Sequence, residues 1–264
     1  MEDIQNTKGD YKYKINKVGI SNMIYPISLK NKKGVPVNTV CNLSMSVSLE
    51  RDMKGINMSR LPILLSETGE DTWELTDIKE EIKAFMLSMT KVMGSKDAYV
   101  EMEFDFFLKK KAPVSDFQGI MSYKCKINGS LHLEPSMEYD FILSVEVPVT
   151  TLCPCSKAIS QYSAHNQRGY VQVSVRYSDM LYIEEIIEIV ESAGSCDIYP
   201  ILKRIDEKYV TEKAYENPRF VEDMVRIVAE KLNQDNRVSW FNISSRHQES
   251  IHAHDAFASI EISK

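Results

Sequence analysis

The sequence contains no apolar run that approaches the roughly 18–20 residues a membrane-spanning helix requires. It also lacks an excess of positive charge, because its 264 residues include 32 Lys and Arg against 38 Asp and Glu, a net charge of −6. No overall attraction to nucleic acid or anionic lipid is therefore expected, and a polyanionic ligand must be held by a local group of basic residues. Residues 1–5 lack the basic-then-apolar order of a secretion signal, so we expect a cytoplasmic protein.

The sequence has few cysteines and an odd number of them, which argues against a disulfide framework. The five cysteines are Cys41, Cys125, Cys153, Cys155 and Cys196. We expect them to be reduced and available for packing or chemistry. With 43% hydrophobic and 27% charged residues, the composition is that of a globular chain and excludes disordered, collagen-like and coiled-coil classes.

Polar and apolar residues alternate along several segments, which predicts strands with one solvated face. The clearest run extends from Cys41 to Leu49, and the pattern returns at residues 100–106 and 121–127. Further strands are expected at residues 18–27, 139–147, 171–177, 237–244 and 256–262.

Helical spacing of apolar residues appears between these strands. The predicted helices cover residues 78–92, after the possible caps Thr76 and Asp77; residues 183–193, ending at Gly194; and residues 221–232, after Asn217 and Pro218. Residues 15–130 therefore read strand, strand, helix, helix, strand, strand, and residues 138–264 repeat that order.

This repeated order predicts an α+β fold in which each half forms a mostly antiparallel sheet with its helices on one face. The opposite, polar faces of the strands need water or a partner subunit. Residues 128–135 are the only plausible joint, since no Pro/Gly/Ser-rich linker separates the halves. We therefore divide the chain into domains 1–132 and 133–264, the second of which carries most of the site motifs.

Two thiols lie one proline apart at Cys153-Pro154-Cys155, where the strand alternation ends. Proline limits the backbone, and we interpret the segment as an edge-like turn that fixes the two side chains relative to each other. A disulfide between residues so close in sequence would be strained. The simplest interpretation is a pair of small hydrophobic residues; a reactive thiolate would need Lys157, a metal or a helix amino end beside it.

His165 follows Cys153 by twelve residues, in a polar segment just ahead of a strand. A single loop histidine is usually only solvated, but a thiol and an imidazole together can supply two ligands of a divalent metal. No second pair of such residues completes four ligands. The spacing therefore favours an open, catalytic metal site over a structural one.

Three of the five histidines, His247, His252 and His254, lie within eight positions and flank Glu249. In an extended segment His247 and Glu249 would point one way, and the other two histidines would point the opposite way. A solvated histidine-rich turn is one interpretation. General acid–base work or proximity to a metal is the other, because imidazole titrates near neutrality.

Three segments in order, residues 152–157 (LCPCSK), 163–168 (SAHNQR) and 249–252 (ESIH), resemble the motifs of the type IB GTP cyclohydrolases. Supporting matches are residues 58–60 (MSR), 206–212 (DEKYVTE) and 215–218 (YENP). The resemblance covers essentially the whole chain. It implies a tunnelling fold of two tandem halves, assembled as a homotetramer with active sites at subunit interfaces.

The reaction implied by this resemblance converts GTP and water to 7,8-dihydroneopterin triphosphate and formate, the first step of tetrahydrofolate biosynthesis. A metal-activated water would attack purine C8. Carried over by position, the metal ligands would be Cys153, His165 and Glu207, with Glu212 close to the last of them. The ion would be Zn²⁺, Mn²⁺ or Fe²⁺, since a mixed thiolate, imidazole and carboxylate set admits all three.

The remaining roles also follow from the resemblance. Cys155 would be a catalytic thiol outside the metal shell, and His252 would transfer protons near the ribose or the formyl group. Glu249 or Glu222 would accept hydrogen bonds from the N1–H and exocyclic amine of guanine. Of the two, we expect Glu249 to bind the substrate and Glu222 to be a catalytic residue. The triphosphate would be held by basic residues, for which the candidates are Arg168, Arg60 and Lys157, followed by Arg246 and residues 109–111.

Two other functions stay open at this point. The first is a nitrile reductase of the deazapurine pathway on the same fold, which would use Cys155 as a covalent nucleophile and a nicotinamide cofactor. A Gly-rich dinucleotide turn is missing, although that fold would not need one. The second is a non-enzymatic binding module in which Cys153 and His165 help to hold a structural zinc.

Overall fold

The computed structural model describes residues 7–69 and 71–264. Residues 1–5, on which the expectation of no secretion signal rests, lie outside this part of the chain. Two compact units divide the molecule: unit 1 is Met1–Asp105 with Lys126–Leu143, and unit 2 is Phe106–Cys125 with Ser144–Lys264. Three long strands contribute residues to both units. The division between residues 132 and 133 stays a prediction.

In the described residues, ten strands and six helices follow one another along the chain. They are β1 (Ile15–Lys30), β2 (Pro36–Leu49), α1 (Arg60–Ser66), β3 (Trp73–Leu75), α2 (Ile78–Met93), β4 (Asp97–Lys111), β5 (Gln118–His132), β6 (Glu138–Leu152), α3 (Pro154–Ile159), β7 (Asn166–Tyr177), α4 (Ile183–Glu191), β8 (Cys196–Asp197), α5 (Arg204–Glu216), α6 (Val221–Gln234), β9 (Val238–Gln248) and β10 (Ala256–Ser263). All the strands expected from alternation are present. No helix among these is long and apolar enough to cross a lipid bilayer.

Unit 1 contains strands in the order β4, β2, β1, β3, with β2 antiparallel to both of its neighbours and β3 parallel to β1. The alternation of β2 has a direct structural cause, because every second side chain is fully buried: Cys41, Leu43, Met45 and Val47. Helix α2 contacts β2. Asp77 caps it as expected, accepting a hydrogen bond from the Glu80 N–H at 3.3 Å, and Gly94 ends it with φ +64°.

Unit 2 contains strands in the order β10, β9, β7, β6, and β8 pairs with β6. Strand β9 is antiparallel to both β7 and β10, and its register places His247 opposite Gly169. Helix α6 packs against β9 and β10. Its predicted apolar stripe is buried: Val221, Met224, Val225, Val228 and Leu232.

The second half departs from the predicted order in three respects. A short helix, α3, follows β6, a two-residue strand, β8, follows α4, and α5 precedes α6. Helix α4 ends at Glu191 with Ser192 as its cap, before Gly194. Asn217 was expected to cap α6, but it is the C-terminal cap of α5. At the start of α6, the Asp223 carboxylate instead accepts from the Phe220 N–H at 2.8 Å.

Candidate functional site

Cys153 caps a short helix, so the expected edge-like turn at this position is wrong. Strand β6 ends at Leu152 and α3 begins at Pro154, where a missing N–H costs the helix no hydrogen bond. The Ser156 N–H points at Cys153 Sγ, 3.5 Å away.

The main chain brings His165 to Cys153. The Cys153 N–H donates to the His165 carbonyl at 3.1 Å. Ser156 links the same two residues a second time, since its hydroxyl donates to the Cys153 carbonyl and accepts from the His165 N–H, both at 3.2 Å. These hydrogen bonds hold the two ends of the segment, Cys153 and His165, next to each other.

Three groups surround Nδ1 of His165. The nearest is Oε1 of Gln167 at 3.0 Å, followed by the Ser250 hydroxyl at 3.5 Å and Glu249 Oε2 at 3.8 Å. The side chains of His165 and Glu249 are each 14% exposed. The structure thus places Glu249, from the segment after β9, beside the histidine that follows α3.

Glu207 is exposed on the first turn of α5. Thr211, one turn further along, donates its hydroxyl to the Glu207 carbonyl at 2.7 Å and lines a cleft of about 290 Å³ with Asn166 and Arg168. Within residues 7–69 and 71–264, no three His, Cys, Asp or Glu side chains lie close enough to hold one metal ion. The role of Glu207 as a ligand stays a prediction.

The start of α5 is anchored by Asp206, a residue that the sequence analysis left unassigned within an acidic segment. Its buried carboxylate accepts from the N–H groups of Val114, Ser115 and Lys203 at 2.8–2.9 Å, and from the Ser115 hydroxyl at 2.5 Å. Burial alone would raise the pKa of Asp206, but these hydrogen bonds lower the pKa below its usual value. Lys203 lacks the capping side chain of the usual helix-start signature, so no sequence signal indicated this role.

His247 is the buried member of the histidine cluster, at 1% exposure. Burial lowers its pKa to about 4, although the charge of Glu222 acts in the opposite direction. Its Nδ1 lies 3.4 Å from the Thr151 hydroxyl, while Nε2 has no hydrogen-bond partner in the described part of the chain. The ring fits against β7 because residue 169 is a glycine: a Cβ there would lie 3.0 Å from His247 Cδ2.

His252 and His254 do not lie on a strand face, contrary to the extended arrangement inferred from the sequence. Strand β9 ends at Gln248, and both histidines are exposed in the connection to β10. Their rings stack with centroids 5.2 Å apart. A catalytic role for His252 stays a prediction.

The other predicted site residues are distributed over both units. Cys155 is exposed, and none of the five cysteines, all of which lie in the described residues, forms a disulfide. Lys157 donates to the Tyr215 carbonyl at 2.6 Å and lies 4.3 Å from the centre of its ring. Glu222 is exposed on α6. Arg60 belongs to unit 1, where it donates to the Val92 carbonyl at 3.2 Å.

Comparison with known proteins identifies the family. The model of the type I GTP cyclohydrolase folE2 family matches residues 1–258. The chain belongs to this family. GTP cyclohydrolase FolE2 of Geobacter metallireducens is 42% identical over 264 residues, covering 100% of this chain and 98% of that protein. The FolE2 protein of Geotalea uraniireducens is 44% identical over the same length and is covered to 94%. The resemblance inferred from the sequence motifs is therefore confirmed.

Solved structures confirm the fold class of this FolE2 family member. Urate oxidase of Bacillus sp. TB-90 superposes with a TM-score of 0.57 at 9% identity, covering 95% of this chain and 100% of that chain. A uricase from Bacillus fastidious gives a TM-score of 0.57 at 6% identity, with 94% and 92% covered. Identities this low show the α+β tunnelling fold and nothing about chemistry.

Proposed function

We propose that this chain is a GTP cyclohydrolase that converts GTP and water to 7,8-dihydroneopterin triphosphate and formate, the entry to tetrahydrofolate biosynthesis. The observation that carries the proposal is the double link between Cys153 and His165, with Glu249 beside the imidazole. Membership of the FolE2 family over nearly the full length supports the same reaction.

The donor chemistry of Cys153 and His165 suits a divalent metal. The thiol of Cys153 faces an amide donor, and the nearest partner of His165 occupies Nδ1, which leaves Nε2 to bind an ion. We propose Cys153, His165 and Glu207 as the ligands of Zn²⁺, Mn²⁺ or Fe²⁺. The ion would supply the acidity that makes water a nucleophile toward the poorly electrophilic C8 of the purine.

The position of Glu249 bears on which glutamate recognises guanine. The N1–H and exocyclic amine lie at the opposite end of the purine from C8. If His165 binds the ion that activates water at C8, a carboxylate 3.8 Å from His165 would face the C8 end of the purine. We therefore propose Glu222 for the guanine edge and Glu249 for a position near C8, where a carboxylate can take part in proton transfer; this reverses the roles expected from the sequence.

Ring opening also needs a proton delivered to nitrogen, which suits a thiol or an imidazole. Cys155 lies in the first turn of α3, next to the Cys153 cap, and is exposed to an incoming nucleotide. His252 is exposed three residues beyond Glu249. We therefore propose both as catalytic residues, acting from outside the ligand set.

For the triphosphate we propose Arg168, Arg60 and Lys157. Arg168 has the strongest support, because it lines the open cleft next to Asn166 and is exposed. Lys157 already binds the Tyr215 carbonyl, so a phosphate would have to compete with that contact. All three offer a positive charge to the phosphates on a chain whose net charge is −6.

We further propose a homotetramer in the cytoplasm. Strand β10 ends the strand order of unit 2, and Phe257 on it is 76% exposed. An edge strand with an exposed aromatic side chain suits pairing with another subunit. Five cysteines that form no disulfide suit a reducing compartment.

Incubation of the purified protein with GTP and Mn²⁺ or Zn²⁺ tests the reaction. We expect formate and, after oxidation, pterin fluorescence, both dependent on the metal. Oxidation of NADPH without any metal requirement would instead support the nitrile reductase. Absence of formate with every divalent ion tried would refute the cyclohydrolase assignment.

A further inference from the structure

Four side chains form a continuous line of polar contacts from His165 into the core of unit 2. Nδ1 of His165 lies 3.0 Å from Gln167 Oε1, and Gln167 Nε2 donates to the Thr151 hydroxyl at 3.1 Å. The same hydroxyl lies 3.4 Å from Nδ1 of His247. Gln167, Thr151 and His247 are 8%, 0% and 1% exposed, so water does not replace these contacts.

The contacts in this line depend on one another, because each group has a limited number of protons. Gln167 presents an oxygen to one neighbour and an N–H to the other, and the Thr151 hydroxyl carries a single proton. Gln167 donates to Thr151, so the threonine hydroxyl is free to donate in turn to His247 Nδ1. The proton of His247 then lies on Nε2, and the proton of His165 lies on Nδ1, where Gln167 Oε1 accepts it.

Reversing the direction of these hydrogen bonds requires the side-chain amide of Gln167 to flip, so that its oxygen and nitrogen exchange positions. Thr151 would then donate to Gln167, His247 would carry its proton on Nδ1, and Gln167 would donate to His165. The ring proton of His165 would move to Nε2, the nitrogen that would otherwise bind a cation. As long as the Thr151 proton is used within this line, the tautomers of the two histidines are therefore linked, even though the residues are 82 positions apart.

We propose that Gln167, held by Thr151 and His247, is a positioning residue that keeps His165 protonated at Nδ1 and so leaves Nε2 available to a divalent cation. The inference rests on the proposed function in taking His165 as a ligand. Two other groups near Nδ1, the Ser250 hydroxyl at 3.5 Å and Glu249 at 3.8 Å, are more distant than Gln167. Neither is anchored by a buried hydroxyl in the way that Thr151 anchors Gln167.

The apo protein provides a readout that needs no metal. In protein labelled with ¹⁵N-histidine, two-bond ¹H–¹⁵N spectra distinguish a protonated from an unprotonated ring nitrogen, and single substitutions assign the five histidines. We expect His165 to be protonated at Nδ1 in the wild type and in Gln167→Glu, which keeps an acceptor oxygen. Gln167→Met should give a mixture of both tautomers.

Affinity for Zn²⁺, measured by competition with a coloured chelator, is the second readout. Gln167→Met is expected to weaken binding by about 10–100-fold, and Thr151→Val to weaken it as well. Gln167→Glu and Thr151→Ser should stay near the wild type. Gln172→Met is the matched control, because Gln172 lies on the same strand and is exposed.

Melting temperatures separate this role from a purely structural one, since Gln167→Met and Gln167→Glu can both lower stability but only the first should change the tautomer. A folded Gln167→Met protein with the wild-type tautomer and the wild-type Zn²⁺ affinity would overturn the proposal. If the wild type binds no Zn²⁺, the metal site itself fails. The apo spectra then decide the tautomer question independently.

Discussion

Lys110 and Glu191 form an ion pair in unit 2, with Nζ 2.5 Å from Oε1 and side chains that are 11% and 12% exposed. The Tyr123 hydroxyl donates to the same carboxylate oxygen at 2.9 Å. Burial raises the pKa of Glu191, and Lys110 partly offsets that rise. The pair is therefore held by the interior of the protein and shielded from solvent and salt.

Replacing Lys110 by Met should leave the Glu191 carboxylate without its positive partner. We expect the free energy of unfolding to fall by about 3 kcal/mol, because an unpaired buried charge must be protonated or hydrated. Urea denaturation at neutral pH measures this. Lys109→Met is the control, since Lys109 is exposed on the same strand. Equal losses in the two variants would contradict the importance of the pair.

The lowered pKa of His247 predicts that the protein loses stability in acid. Its pKa of about 4 in the folded protein lies below the ordinary value of 6.5, so the unfolded chain binds the proton more tightly. Stability should therefore fall as the pH drops from 6.5 to 4, by about 3 kcal/mol in total. Unfolding midpoints in urea across this range test it. The dependence should be smaller in His247→Met and unchanged in His254→Gln.

Substitution of Cys153 and substitution of Cys155 should have different effects on metal binding. Cys153→Ala is expected to lose both bound metal and activity, because it removes a proposed ligand. Cys155→Ala should keep the metal and lose turnover. Metal content by elemental analysis and formate release by enzymatic assay are the measurements. Equal loss of metal in both variants would refute this division of roles.

Asp206→Asn should loosen the start of α5, and with it Glu207. A carboxyl group whose pKa is lowered on folding stabilises the protein above its unfolded pKa, and the stabilisation is lost as the pH falls through the lower, folded value. We therefore expect a lower melting temperature at neutral pH and weaker Zn²⁺ binding. Glu216→Gln, exposed on the same helix, should change neither. Unchanged Zn²⁺ affinity in Asp206→Asn would argue against Glu207 as a ligand.

Much of the fold could be predicted because burial leaves a direct trace in the sequence. In β2, one face is buried and the other is not, so alternation alone located the strand. The start of α6 was predicted less well, since Asn217 and Pro218 form a local start signal that the chain uses at the end of α5. Both α5 and α6 could use these two residues as a cap, and the local sequence does not indicate which helix does.

The candidate site was accessible to sequence reasoning only where residues are close along the chain. Cys153 and His165 could be paired by their spacing. The contact between Thr151 and His247 joins residues 96 positions apart, and no local pattern indicates it. Gln167 lies within a recognised motif, yet its function depends on that distant contact.

Gly169 and His247 occupy facing positions on β7 and β9, and the ring fills the room that a side chain at 169 would take. Even a methyl group there would also come within 3.2 Å of Val149 Cγ2. The side chains at positions 169 and 247 therefore compete for the same space between the neighbouring strands. A larger residue at 169 therefore needs both a smaller one at 247 and a shift of the Val149 side chain, so loss of the imidazole removes only one of the two constraints on the glycine.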